Sequence, residues 1–262
     1  MKISASIENP AVLPELLEIA EISGIYLPGE RMTEPELLRA AEACRSRNKA
    51  CYYAFPYVFR REARIAYEEA AERLRESGFD GWLLRSLDEL GFVREQSFPG
   101  TSISDAGFYT WNRTAVSQLR KLGVQVFTAP YELNRRELAA RGTQDTELVI
   151  YGRIPVMVTA QCPLREREGC GRGRREYRFT RLRDRRKACF LAENRCRFCY
   201  NVIYNSVPLW LLDQEKLFPE RVRFQFTAEA PGEPAHILER FLRGERSSPG
   251  PYTRGHLTRG VE

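Results

Sequence analysis

Histidine is almost absent from this chain: His236 and His256 are the two in 262 residues. That scarcity removes several catalytic outfits. There is no His-Glu-x-x-His pair for a zinc protease and no Gly-x-Ser-x-Gly elbow for a serine hydrolase. A Cys–His pair would need one of two histidines placed on a final helix and in a tail to fold back on a cysteine. No P-loop is present, and no Gly-x-Gly-x-x-Gly follows any strand-like run, so neither nucleotide fingerprint applies. No apolar run approaches the roughly 18 residues of a membrane span. The start, MKISASIENPAV, lacks the apolar segment of a secretory signal. Charged residues at 29% and a mean hydropathy of −0.46 describe a soluble chain, and 43% hydrophobic residues suffice for one large domain with its own core. A cytoplasmic, reducing location follows from these absences.

What the chain does have is cysteine in one place. Five of its seven cysteines fall between 162 and 199, at Cys162, Cys170, Cys189, Cys196 and Cys199. The last two form a Cys-x-x-Cys pair, whose thiolates reach one metal ion or two corners of one cluster when they sit on a turn. Cys162 and Cys170 supply the other half from a separate loop. Four thiolates suit either a tetrahedral structural zinc or an iron–sulfur cluster, and spacing alone leaves both open. Structural zinc sites usually carry two short knuckles, and this chain has one. Burial as small hydrophobes and disulfides, which a reducing compartment disfavours, are the structural alternatives.

The same stretch carries the charge. It holds thirteen Lys/Arg against five Asp/Glu, more than the whole chain's surplus of six, so the basic excess is local. Arginines there offset the negative charge of a thiolate-ligated cluster, and an Arg- and Gly-rich loop over 169–186 also fits a phosphate backbone.

Ahead of that stretch, short β-rich runs alternate with helical patterns. Strands are expected at 2–7, 25–27, 50–54, 81–85, 101–104 and 124–128. A long apolar segment over 148–159 leads to Cys162. Helices are expected at 11–22, stopped by Gly24, at 34–47, capped by Thr33, and at 61–76, 112–122 and 133–141. An eighth strand at 221–227 and a helix at 235–242 follow. The segment GERSSPGPYTRG reads as disordered. Strict alternation argues for a parallel sheet with helices outside. Eight units make a closed β/α (TIM-type) barrel, with an open doubly wound sheet as the alternative. The chain thus divides into 1–160, seven barrel units; 161–204, a cysteine- and arginine-rich insertion after strand seven; 205–245, the closing unit; and 246–262, a tail.

A barrel places chemistry at the C-terminal ends of its strands. The polar residues there include Glu8, Glu30, Tyr57, Arg60, Arg85, Asp105 and Glu132. Glu132, in PYELN, is the leading candidate for a buried functional carboxylate, against a plain helix N-terminal carboxylate. Arg60 and Arg85 suit a carboxylate or phosphate ligand, and structural pairing with Glu30 or Glu132 is the alternative. Asp105 is the remaining catalytic candidate.

Several segments carry a family resemblance: YGRIPVMVTAQC, the pair Asp184–Arg185, CRFCYNVIYNSVPLWLL and the ending YTRGHLTRGVE, together with PYELN and GFDGWLLRSLDELG. They resemble the peptidase U32 (collagenase-like) family over nearly the whole chain, and most of all the C-terminal portion of its longer members. The resemblance implies a β/α-type barrel and an oxygen-sensitive 4Fe–4S cluster on four cysteines. Cys162 and Cys170 match the first two family cysteines, and Cys196 and Cys199 match a later pair. Cys189 falls where that subgroup varies. Members of understood role support oxygen-independent hydroxylation of a tRNA uridine, an rRNA cytidine or the ubiquinone ring, with prephenate implicated as oxygen source in some. Others carry the name protease. Members act as pairs of family subunits or as larger assemblies, which implies a partner subunit or a homo-oligomer here.

The chain departs from the RNA-modifying members in two ways. Their compact Cys-x-x-Gly-Arg-Cys becomes the longer CPLREREGC, and their closing cysteine after the Asn-Ser motif is missing, with Cys199 in its stead. The leading expectation is an iron–sulfur protein supporting hydroxylation or a related modification, with RNA favoured as target. In it, Arg172, Arg174, Arg175 and Arg181 grip phosphate or prephenate carboxylates. A peptidase, and a zinc-stabilised binding scaffold without catalysis, are the alternatives.

Overall fold

The computed structural model describes residues 1–165, 169–170 and 178–259. In chain order the strands are β1 (Lys2–Ile7), β2 (Ile22–Pro28), β3 (Ala50–Ala54), β4 (Gly81–Leu84), β5 (Thr101–Ser104), β6 (Val126–Thr128), β7 (Thr146–Gly152), β8 (Pro155–Thr159), β9 (Phe179–Arg183), β10 (Cys189–Arg195), β11 (Tyr200–Tyr204), β12 (Leu209–Trp210) and β13 (Arg221–Phe226). β1 to β7 pair in parallel in sequence order, and β13 pairs in parallel with both β7 and β1. The eight parallel strands therefore close on themselves. This is the TIM-type barrel, and the open sheet is excluded.

Local chemistry sets the helices between the strands. Thr33 and Glu36 form a reciprocal capping box at helix Glu34–Arg45, and Asn134 and Glu137 form another at helix Arg135–Arg141. Ser86 caps Leu87–Glu95 and Asn112 caps Arg113–Lys121. The main apolar core lies between barrel and helices, where Tyr53, Phe55, Tyr67, Trp82 and Phe92 pack edge to face or tilted. Full burial of each such side chain is worth roughly 1.5–3 kcal/mol. A second, small apolar cluster comes from alternate positions of β2 to β6: Tyr26, Ala54, Leu83, Ile103 and Val126.

Between β7 and β13 the chain builds a separate four-stranded antiparallel sheet, in the order β8-β11-β10-β9. This sheet carries the Cys-x-x-Cys pair. The apolar run 148–159 is thus two strands in two sheets. Gly152 makes the break: at φ 138°, with a Cβ that would stand 2.3 Å from the Gln225 carbonyl, it admits no side chain.

Other expectations also shift. The helix over 11–22 shrinks to a 3-10 turn and Leu13–Leu17, because Ile22 pairs with Ile3 and enters β2. Gly24 lies inside that strand, where a Cβ would come within 2.8 Å of the Tyr52 ring. The helix over 61–76 divides at Ala70. Leu87–Glu95 is a helix that the sequence analysis did not place. The tail is folded back where disorder was expected. Trp210 donates its backbone N–H to the Thr253 carbonyl (2.9 Å) and its indole N–H to the Arg246 carbonyl (2.8 Å), and Leu257 is buried. Among the described residues no helix is long and apolar enough to cross a membrane.

Leu257→Ala should therefore cost roughly 2–5 kcal/mol in urea unfolding, as a buried leucine does. A loss below about 0.5 kcal/mol, the level of a surface substitution, would mean that the tail does not hold the barrel.

Candidate functional site

The cysteine-bearing sheet lies over the C-terminal mouth of the barrel. Tyr200, Val202 and Tyr204 of β11 are buried against Tyr57 and Val58, which follow β3. The Tyr57 backbone N–H donates to the Tyr200 hydroxyl at 3.0 Å. Under this lid the strand ends deliver a dense set of buried charges.

Arg195, the last residue of β10, is the hub. Its guanidinium is 2.6 Å from Glu30 Oε1, 2.7 Å from Glu193 Oε2 and 2.6 Å from Glu8 Oε2. Glu8 and Glu30 follow β1 and β2. Glu193 sits two residues before Arg195 on the same strand face. Glu193 also pairs with Arg31 and accepts from the Tyr204 hydroxyl at 2.8 Å. Glu30 accepts from the Tyr200 hydroxyl at 2.8 Å. Burial acts to raise the Glu193 pKa, but Arg195 and Arg31 outweigh it and hold the carboxylate below its ordinary range. For Glu8 burial wins, reinforced by Glu193, and its pKa is raised. Glu8 Oε2 meets Arg195 without hydrogen-bond geometry.

A second set lies in the barrel itself. Arg223 of β13, with no exposed side-chain surface, donates to Asp105 Oδ1 at 2.6 Å and faces Glu147 Oε2 at 3.4 Å. Arg85 donates to the other Asp105 oxygen at 3.0 Å, and its guanidinium lies 3.9 Å from the centre of the Tyr57 ring. Glu147 accepts from Ser4 (2.6 Å) and Tyr26 (3.0 Å). Burial opposes ionisation of Asp105, yet Arg223 and Arg85 keep its pKa lowered. Beside this set stands Glu89, wholly buried. It accepts from the Arg85 backbone N–H at 2.5 Å, and desolvation pushes its pKa up to about 8.

Cys162, Cys170, Cys196 and Cys199 line one cavity of about 390 Å³, together with Arg165, Arg195 and Asn201. All four are free thiols. Cys196 and Cys199 begin and end the four-residue turn between β10 and β11, flanking the paired residues Arg195 and Tyr200. Cys199 adopts φ 57°, a left-handed conformation that favours glycine. On the other strand face, Asn194 donates to Asn201 (2.7 Å), and Asn201 donates to the Gln161 carbonyl (3.0 Å), which fixes the chain beside Cys162. The Cys196 thiol is raised by burial first, and then by its three cysteine neighbours. Among the described residues no three His, Cys, Asp or Glu are grouped to hold a single metal ion. Cys189 is exposed at the other end of β10.

Of the residues singled out from sequence, Arg85, Asp105, Glu8, Glu30 and Tyr57 meet at the mouth, and the four cysteines meet above it. Arg60 is exposed at the start of helix Arg61–Glu69. Glu132 lies outside both charge sets, in the turn before helix Arg135–Arg141, with Oε2 buried and unbonded. Arg181 is exposed on β9. Arg172, Arg174 and Arg175 lie outside the described residues. Sequence reasoning missed Arg31, Arg195, Glu193, Glu147 and Arg223. For Arg223 a signal existed: Arg221, Arg223 and Gln225 alternate along β13 and so share its inner face. His236 and His256 are both exposed, and His236 lines a different cavity, with Tyr151 and Glu229.

A U32 peptidase is among the solved structures that match. Its TM-score is 0.47 at 11% identity, over 58% of this chain and 70% of that one. A glycerol uptake operon antiterminator-related protein from Thermotoga maritima matches with TM-score 0.38 and 12% identity, over 56% of this chain and 81% of its own. A type I 3-dehydroquinate dehydratase from Clostridium difficile matches with TM-score 0.38 and 12% identity, over 57% and 74%. At these values the likenesses assign no chemistry. No family model matches the chain, and no curated protein matches it in sequence.

Two predictions follow from the charges. Arg195→Met takes away the guanidinium that Glu8, Glu30 and Glu193 share and should destabilise the protein by about 3–5 kcal/mol, whereas Glu8→Gln should leave the unfolding midpoint near that of the parent. Equal losses in both would contradict the hub. For Glu89, a folded pKa raised to about 8 means that folding takes up a proton. Its stabilising contribution is full below the unfolded carboxyl pKa, falls as pH rises, and is lost above about 8, a difference on the order of 5 kcal/mol. Between pH 5 and pH 9, Glu89→Gln should lose less stability than the parent in urea titrations, and parallel losses would refute the assignment.

Proposed function

We propose that this chain is an iron–sulfur barrel protein that supports oxygen-independent hydroxylation or a related modification, with RNA as the favoured target. The observation that carries the reading is the convergence of Cys162, Cys170, Cys196 and Cys199 on one cavity above the barrel mouth. Four thiols on one cavity suit either a tetrahedral zinc or an iron–sulfur cluster. A cubane takes one thiolate at each of its iron corners. The choice of a 4Fe–4S cluster over zinc rests on the family resemblance in the sequence. Such a cluster would supply one-electron chemistry, and the chain's own residues would do the rest. The hairpin turn presents Cys196 and Cys199, and Asn201 holds the strand that leads to Cys162. Arg195 and its carboxylates anchor the cavity wall to the barrel. RNA as target, prephenate as co-substrate, and a family partner subunit or homo-oligomer rest on the family resemblance in the sequence, and a cytoplasmic location on its composition. Arg181 and the arginines at 172, 174 and 175 are proposed to hold phosphate or carboxylate groups. No histidine lines the cysteine cavity, so nothing favours a peptidase built on these thiols.

Protein purified without oxygen should be brown, with about four iron and about four sulfide per chain, and the visible absorbance should disappear in Cys196→Ser. A colourless protein with one zinc would overturn the reading. RNA modifications compared between parent and deletion strains then test the target. Cys199 offers a further check. Glycine relieves its left-handed backbone, so Cys199→Gly should stabilise the metal-free protein by about 1 kcal/mol while abolishing the colour. A variant that stays brown removes Cys199 from the ligand set.

A further inference from the structure

Far from the cysteines in the chain, a cavity of about 420 Å³ opens on the outer wall of the barrel, between helix Arg113–Lys121 and the segment after helix Arg135–Arg141. Three arginines line it: Arg113, Arg120 and Arg141. Arg141 is 4% exposed, and its guanidinium donates to neutral groups. Nε donates to the Thr110 carbonyl (2.5 Å) and Nη2 to the Thr110 hydroxyl (2.9 Å). Nη1 donates to the Gly142 carbonyl (3.0 Å) and the Thr146 hydroxyl (2.9 Å). One of the five N–H groups of a guanidinium is left over. The other deeply buried arginines, Arg31, Arg195 and Arg223, each face a carboxylate. Arg141 faces none among the described residues. Burial alone lowers its pKa, to about 10, so it stays charged at neutral pH.

Arg113 is a second unmatched cation. Its Nε donates to the Ala140 carbonyl at 2.8 Å, and no described carboxylate pairs with it. Arg120 is matched, by Asp145 at 2.9 Å. Ser117, Thr143 and Gln144 add neutral hydrogen-bonding groups and no acid to the wall. A purely structural role for Arg141 is real: it ties Thr110 to Thr146 and lies in the last turn of its helix, where the macrodipole favours a cation. That role explains its four hydrogen bonds. It does not explain a second unmatched arginine on the same open cavity.

We propose that this cavity binds a phosphoryl oxyanion, either on a free or small phosphorylated ligand or in the phosphodiester of a nucleic acid. A phosphate dianion matches the two unpaired charges. The Nη groups of Arg113 provide the planar fork that phosphate oxygens accept from. Arg141 provides fixed positive charge from below, and Ser117 and Thr143 complete the donor set. This inference does not depend on the cluster reading, since none of these residues approaches the cysteine cavity.

The test uses the full chain at constant ionic strength. Arg113→Gln and Arg120→Gln are the variants, because both side chains are exposed and neither holds the fold, and Arg141 is left in place. Inorganic phosphate should raise the unfolding temperature of the parent where chloride does not. Calorimetric affinity for phosphate should fall about five-fold or more in Arg113→Gln, as expected for the loss of a charge-assisted fork. A short single-stranded RNA distinguishes the source. RNA that competes with phosphate and weakens in the same variant identifies a phosphodiester site, and RNA that leaves phosphate binding unchanged identifies a small phosphorylated ligand. Equal shifts with phosphate and chloride, or variants that respond as the parent does, would overturn the proposal.

Discussion

The arrangement at the barrel mouth depends on one guanidinium. Arg195 pairs with Glu193 on its own strand and with Glu8 and Glu30 just past the ends of two barrel strands. Buried ions lose several kcal/mol of hydration each, and they regain it only where the partners are close and numerous. Here three carboxylates and one guanidinium satisfy one another only when the insert sits squarely on the barrel. The pairing therefore acts as a registration device. Because Cys196 is the next residue in the chain, the position of the cysteine turn is inherited from the ends of β1 and β2.

Counting charges across the mouth explains which group is left over. Glu8, Glu30, Glu193, Asp105 and Glu147 stand against Arg31, Arg85, Arg195 and Arg223. Among these groups five acids meet four bases, and buried Glu89 stands beside them. The surplus falls on the acid with the poorest geometry, Glu8, and burial raises its pKa accordingly. The polar set also alters the barrel. Interiors of this fold are usually filled by branched apolar side chains. Here apolar filling is confined to the cluster drawn from β2 to β6, and the β1, β7 and β13 side is taken by Ser4, Glu147 and Arg223. The missing apolar weight is carried by the aromatic layer outside the strands.

Much of this was legible in the sequence, for local reasons. Lys2–Ile7 and Ala50–Ala54 are bounded by their own composition, and Thr33 announces its helix by capping chemistry. The four cysteines were legible because thiols in a polar surround have few other uses. What escaped depends on distant partners. Ile22 fits a helical period until Ile3 claims it. Leu87–Glu95, with Gly91 at its centre, has little amphipathic signal of its own. The tail reads as disordered because three backbone and indole bonds to Thr253, Pro208 and Arg246 leave no trace in composition. Glu193 and Arg195 looked like members of a solvated basic loop. Only the antiparallel sheet turns that segment inward, and the surplus of arginine around it concealed the ones that are buried.

The hub also limits what Arg195 contributes to the cavity it lines. Its charge is already shared among three carboxylates, so the field that it presents to the thiols is weak or negative overall. A cluster on four thiolates is itself negative. In the proposed reading, the compensating charge comes from other arginines around the cavity. Arg165 lines the cavity directly. Arg197, inside the turn itself, stacks on Phe198 at 4.7 Å from the ring centre, and no carboxylate among the described residues forms an ion pair with it. The local basic surplus then has the charge-offsetting role expected of it, carried by particular arginines. In that reading it would balance a negative site whose nearest buried arginine is committed to holding the lid on the barrel.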